Sequence, residues 1–191
     1  MSLYQTLSDI IFILDESGSM DPNKKEIIDS INSFIDEQKI INKNSLFSLI
    51  TFNSIPTVIF DNVPLSNINH ITLDQYNPNN MTALNDAIGN AILLNKNKKN
   101  IIFVILTDGE ENCSKFFSTK KIKSLILDME SNNNWKFIYL GANQDSFNVG
   151  SNIGISQCFN YEANAEGINS IKTTLSSCIT KLRSCTLSQN S

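Results

Sequence analysis

Histidine, which both binds soft metals and shuttles protons near neutral pH, is nearly missing from this sequence. It occurs once, as His70, and Cys113, Cys158, Cys178 and Cys185 form no C-x-x-C pair. One imidazole and scattered thiols do not make a zinc centre, so the cysteines are read as reduced, partly buried thiols. Arginine is confined to Arg183, and the formal net charge is −4 with no basic stripe carrying aromatics, which argues against nucleic acid as a partner. No apolar stretch approaches the roughly twenty residues that cross a bilayer, so no membrane span is expected. The segment from Met1 to Asp9 lacks the basic-then-apolar form of a secretory signal, and the expectation is a cytoplasmic protein.

Several catalytic signatures are missing too. There is no G-x-x-x-x-G-K-[ST] loop to cradle a phosphate and no G-x-G-x-x-G after the first apolar run. Gly150-Ser151-Asn152-Ile153-Gly154 places its serine one position early for a G-x-S-x-G nucleophile. Glycine and proline are few, 7 and 4, whereas Asn, Ile, Lys and Ser are frequent. Because the asparagines fall in loops and on helix faces alike, we read this bias as a matter of coding rather than function. The sequons Asn80-Met81-Thr82 and Asn112-Cys113-Ser114 are taken as accidents of that richness.

What the chain does have is 41% hydrophobic and 18% charged residues over 191 positions, the balance of a soluble globular protein able to bury its own core. The reading is a single domain over residues 1–184 with a short tail over 185–191. The apolar run Ile10-Ile11-Phe12-Ile13-Leu14 leads directly into Asp15-Glu16-Ser17-Gly18-Ser19. A carboxylate and two hydroxyls at alternate positions, where a strand ends, suit a loop that holds a hard cation such as magnesium or manganese. A polar turn with a helix cap gives the same residues a plainer role. A second apolar run, Ile101 to Leu106, ends in Thr107-Asp108-Gly109-Glu110-Glu111-Asn112, and Thr82 opens a helical pattern between the two. Ligands of open parallel sheets collect at the carboxyl ends of the strands, so Asp15, Ser17, Ser19, Thr82 and Asp108 are expected to converge.

Periodicity sets the remaining elements. Strands are predicted near Asp9–Leu14, Leu46–Phe52, Thr57–Phe60, Ile101–Thr107, Trp135–Leu140 and Gln157–Tyr161. The third pairs with the second through a hairpin and forms an antiparallel edge. Helices follow Pro22, Thr82 and Ser118, the last a predicted N-cap. A short helix is expected over Phe147–Ile153, and a final one from Ala165 to about Arg183. His70 falls in the irregular stretch from Asp61 to Asn80 and reads as a surface or packing residue.

With these motifs the sequence resembles the von Willebrand factor type A (vWA) domain. The metal-ion-dependent adhesion site (MIDAS) of that family has the form D-x-S-x-S, then Thr, then Asp, and all five positions are matched in order. The bacterial and phage-like members are the most similar, through segments like Thr107-Asp108-Gly109-Glu110-Glu111-Asn112 and Leu140-Gly141-Ala142-Asn143-Gln144-Asp145. The family often has Gly-Gly before the Thr, where Asn80-Met81 stands here. The resemblance implies an α/β, doubly wound, mostly parallel six-stranded sheet of order 3-2-1-4-5-6 with helices on both faces, a Rossmann-like architecture.

The resemblance also implies that Ser17, Ser19 and Thr82 touch the cation while Asp15 and Asp108 act largely through water. The open position would take an Asp or Glu carboxylate from a partner protein. Relatives work with AAA-type ATPases, so such an ATPase or its substrate is one expected partner. Glu16, Glu110, Glu111 and Asp145 are read as a solvated, acidic mouth, which favours a carboxylate flanked by basic residues. A metal-dependent binding protein rather than an enzyme is therefore expected. The competing readings are a magnesium-dependent phosphotransfer or hydrolytic enzyme, and a structural subunit with a vestigial metal site.

Overall fold

The structure is a computed structural model that describes residues 9–142 and 146–185, with only the backbone of Ser184 and Cys185. Asp145 and the tail beyond residue 185 lie outside the described residues. In chain order the elements are β1 (Asp9–Asp15), α1 (Lys24–Asn42), β2 (Leu46–Phe52), β3 (Pro56–Pro64), α2 (Leu84–Asn95), β4 (Ile101–Thr107), α3 (Thr119–Asn133), β5 (Lys136–Ala142), α4 (Ser146–Asn152), β6 (Gln157–Tyr161) and α5 (Ala165–Cys185). The six strands form one sheet in the order β3-β2-β1-β4-β5-β6. Only β2 and β3 pair antiparallel.

Alternation along β1 divides the core into two layers, because successive side chains leave a strand on opposite faces. Ile10, Phe12 and Leu14 meet Ile27, Ile31, Phe34 and Ile35 of α1 and Ile168, Ile171 and Leu175 of α5. Ile11 and Ile13 join Ile88 and Ile92 of α2, Ile122 and Ile126 of α3, and the stacked rings of Phe103 and Trp135. Each such side chain contributes about 1.5–3 kcal/mol by leaving water, so the sheet is fixed from both sides. The Ser118 hydroxyl caps α3 by accepting from Lys121 N at 3.3 Å, as predicted.

The departures from pattern have local causes. Strand β3 runs to Pro64 rather than Phe60, because register shifts at Phe47–Ile50 let it continue. There Asn62, with φ 53°, donates its N–H to Ser48 Oγ at 2.9 Å. Strand β5 continues through Gly141 and Ala142, residues of low strand preference that pair with Thr107 and Tyr161. Pro22 lies in a 3₁₀ turn, Gly18–Asn23, that precedes α1 rather than in α1 itself. His70 has an acidic neighbour after all, its Nε2 standing 2.8 Å from Asp36 Oδ2 on α1 at the surface.

The scarcity of glycine has a structural counterpart. Left-handed backbone is taken by Asn62, Asn80, Asn100 and Asn134 and, among the described glycines, by Gly154 alone. Asparagine tolerates this conformation better than other residues with a β-carbon. At these four positions the asparagines therefore do glycine's work, which corrects a reading of them as coding bias alone.

Candidate metal centre

Sheet order reverses at β1 and β4, and the candidate site stands on the carboxyl ends of those two strands. After Asp15 the chain turns sharply, with Ser17 N donating to Asp15 Oδ1 at 2.7 Å and Met20 N to Ser17 O at 3.1 Å. Thr107, the last residue of β4, donates its hydroxyl to Asp15 Oδ2 at 2.5 Å. Ser19 Oγ donates to Asp108 Oδ1 at 2.5 Å and lies 3.1 Å from Ser17 Oγ. The buried Tyr76 hydroxyl holds the Asp15 carbonyl from behind at 2.6 Å.

Thr82 is set by its backbone. Its N–H donates to Asn112 Oδ1 at 2.9 Å, its carbonyl accepts from Asn112 N at 3.1 Å, and Ala83 N donates to Asn53 O at 2.8 Å. Asn80 supplies the left-handed residue of this loop, with φ 63°, so Met81 does not have to. Gly18 N donates to Asn80 O at 3.2 Å and ties the two loops together. Gly18 itself has no positive φ, and a β-carbon there would meet only ordinary contacts, 3.6 Å from Asn80 O, so neither a tight turn nor close packing requires a glycine.

Gly109 shows where these oxygens meet. A β-carbon there would lie 2.9 Å from Thr82 Oγ1, 3.5 Å from Asp15 Oδ2 and 3.6 Å from Ser17 Oγ. Three oxygens from two chain segments thus face one small space beside a third, and that space stays open because residue 109 has no side chain. The structure brings together all five predicted residues, Asp15, Ser17, Ser19, Thr82 and Asp108.

Electrostatics at this point fit a cation. Burial pushes the Asp15 carboxyl above its usual range, against the hydrogen bonds from Thr107 and Ser17, with the Asp108 charge adding to the rise. Burial likewise raises Asp108 in spite of the Ser19 hydroxyl. Among the described residues no lysine, arginine or histidine pairs with either acid. A buried carboxylate without a positive partner is costly, and a divalent ion answers that deficit. The described residues assemble no group of three or more His, Cys, Asp or Glu; the donors are hydroxyls and two carboxylates, a hard-oxygen set of the kind magnesium and manganese prefer.

Two acids expected to line the mouth turn inward instead. Glu16 is buried, and its Oε1 accepts from Asn77 N at 2.5 Å. Glu111 accepts from Asn85 N at 2.7 Å, Cys113 N at 3.0 Å and Ser114 N at 2.7 Å. Asp86, in the first turn of α2, accepts from the backbone N–H groups of Lys115, Phe116 and Phe117 at 2.8–2.9 Å. Together they cap α2 and fasten the loop after β4 to it. Pattern reading missed Glu111, Asn112 and Asp86 as site supports; the one signal available was an acid in the first turn of a helix.

Comparison with known proteins agrees with this fold. The family model for the von Willebrand factor type A domain matches residues 9–177. Among solved structures, proximal thread matrix protein 1 from the mussel byssus superposes with a TM-score of 0.68 at 22% identity, over 88% of this chain and 45% of that one. A von Willebrand factor type A protein from Catenulispora acidiphila gives 0.64 at 13% identity, over 88% and 42% respectively. A further structure of the mussel protein, described as having a zinc-occupied MIDAS motif, gives 0.60 at 13% identity, over 87% and 46%. The chain thus spans less than half the length of each of these proteins, and at such identities the likeness shows the fold. No curated protein matches the chain.

Proposed function

From the premise that the chain belongs to the von Willebrand factor type A domain family, we propose that it is a protein-binding module whose contact runs through a magnesium or manganese ion. The observation that carries this reading is the space above Gly109, faced by Thr82 Oγ1, Asp15 Oδ2 and Ser17 Oγ. Ser17, Ser19 and Thr82 would hold the ion directly, and Asp15 and Asp108 would orient water and hydroxyl groups from behind. When bound, such an ion supplies an open coordination position that takes an Asp or Glu carboxylate of a partner in exchange for water.

The chain's own part is to hold the oxygens in place. Thr107 fixes Asp15, Asp108 fixes Ser19, and Asn112 fixes Thr82. Domains of this family are in general interaction modules, and we read this one as non-catalytic. An AAA-type ATPase or its substrate is the partner class we carry forward. The test is titration calorimetry with magnesium and manganese on the wild type and on Thr82→Ala, followed by partner capture with and without chelator. One metal per chain, weakened in the variant with an unchanged circular dichroism spectrum, is the expected result. Partner affinity unchanged in excess chelator rejects the reading.

A further inference from the structure

Beside the candidate metal centre, large apolar side chains from three separate loops stand in solvent. Ile55, in the turn between β2 and β3, is 72% exposed; Met81, directly before Thr82, is 51% exposed; and Phe116, in the loop after β4, is 81% exposed. One exposed apolar residue is ordinary, but several around a common recess mark a contact surface. These three line one cleft of ≈ 330 Å³ together with Cys113 and Lys115. That volume lies at the low end of the roughly 300–1,000 Å³ of small-molecule pockets, and suits one large side chain better than a cofactor.

The surface is built rather than frayed. Phe116 N is held by Asp86 Oδ1 at 2.9 Å and Ile55 N by Asn53 Oδ1 at 3.1 Å. Met81 sits between Asn80, whose carbonyl accepts from Gly18 N, and Thr82, whose backbone is paired to Asn112 on both sides. Loops braced in this way lose little backbone freedom on binding. The cleft neighbours the metal centre along the chain, since Met81 adjoins Thr82 and Cys113 adjoins Asn112.

Charge indicates what kind of segment fits. Glu16 and Glu111 turn their carboxylates onto backbone N–H groups, which leaves Glu110 as the exposed acid of the expected mouth among the described residues. The carboxylate of Asp86 is likewise saturated by three N–H donors, and Lys115 brings a positive charge to the lining. On this side of the site Lys115 favours an acidic residue near the partner's apolar anchor.

We propose that the cleft formed by Ile55, Met81 and Phe116 receives a large apolar side chain of the partner protein, within a few residues of the Asp or Glu that reaches the metal. The recognised element is therefore a short acidic-apolar loop. This rests on the metal-dependent reading above and adds the second anchor.

The probe is a displayed library of disulfide-closed peptides with one fixed Glu and randomised neighbours, selected on the whole chain in magnesium and manganese. Enriched sequences should place Phe, Leu, Met, Ile or Trp close to the Glu. For such a peptide, Phe116→Ser or Ile55→Ser should weaken binding by about tenfold, the effect of a central apolar anchor. Metal affinity measured by calorimetry should stay within error in both variants, because neither side chain touches the metal oxygens. Chelator should remove binding altogether, and Thr82→Ala should weaken it in step with its lower metal affinity. Binding that needs metal but ignores Phe116 and Ile55, or enrichment of Glu with no apolar neighbour, overturns the cleft and leaves the metal reading standing. Peptides that bind equally in chelator, or no metal-dependent peptide at all, count against both.

Discussion

Gly109 matters for the side chain it lacks. A methyl group there would press on Thr82 Oγ1 at 2.9 Å and crowd Asp15 and Ser17, yet the residue lies in a loop above the core. Gly109→Ala is therefore expected to abolish magnesium binding by calorimetry while leaving the thermal midpoint of the metal-free protein within a few degrees. Thr82→Ala removes one hydroxyl and should lower affinity by about tenfold or more. The effect of pH follows from Asp15, whose carboxyl is raised by burial in the metal-free protein. A raised acid favours the fold when protonated, so its contribution is full below the ordinary carboxylate value, about pH 4, and is lost as pH rises through the higher folded value. Bound metal needs the ionised form and reverses that cost. The stabilisation by saturating magnesium should accordingly grow from about pH 4 towards neutrality; a constant increment in melting temperature over that span contradicts the role given to Asp15. The convergence of the five proposed ligands was legible because Asp15, Ser17 and Ser19 alternate after β1, Asp108 follows β4 and Thr82 leads into α2. Asn112 and Glu111 were not, since their work is done on backbone groups that only the folded loops bring near.

At the scale of elements, helices and central strands were legible from apolar spacing, whereas β3 and β5 were misjudged at their ends. Asp61-Asn62 looks like a loop and Gly141-Ala142 like a strand terminus, but both are carried by pairing with neighbours. Helix α2 carries a similar conflict between local preference and packing. Gly89 lies within it, where alanine would ordinarily gain about 1 kcal/mol of helix stability. The ring of Phe117 occupies the place of that methyl, with ring carbons 2.5 Å from the β-carbon position. Gly89→Ala should thus destabilise by about 1–3 kcal/mol as an overpacked contact, and Phe117→Ala added to it should cost less than the two single changes summed. Urea unfolding of the four proteins in the cycle measures this, and simple additivity would show that the ring moves aside freely. Asp86→Ala should be worse than either, by roughly 3 kcal/mol or more, since it strands three backbone N–H groups that the carboxylate now holds.

The whole molecule is two cores sharing one sheet, and each core contains its own thiol. Cys178 of α5 is buried with α1 on one face, and Cys158 of β6 is buried with α2 and α3 on the other. Burial raises both thiols above their usual range, with Lys181 partly opposing the rise at Cys178, so neither should react with a thiol reagent in the native state, while the half-exposed Cys113 should react first. A sheet whose middle strands pack on both layers cannot lose one layer without exposing the other. In a Cys185→Ser background, Cys158 and Cys178 should therefore become reactive at the same urea midpoint, as for a single cooperative unit. Magnesium should move both midpoints upward together, because its proposed oxygens come from the loops after β1 and β4 and before α2, which tie the two layers at one rim. At about 100 times the dissociation constant the shift corresponds to about 2.7 kcal/mol. Gly109→Ala should erase the shift without separating the midpoints. If Cys178 opens at lower urea than Cys158, α5 is a detachable layer, and metal at the rim cannot stabilise it through the sheet.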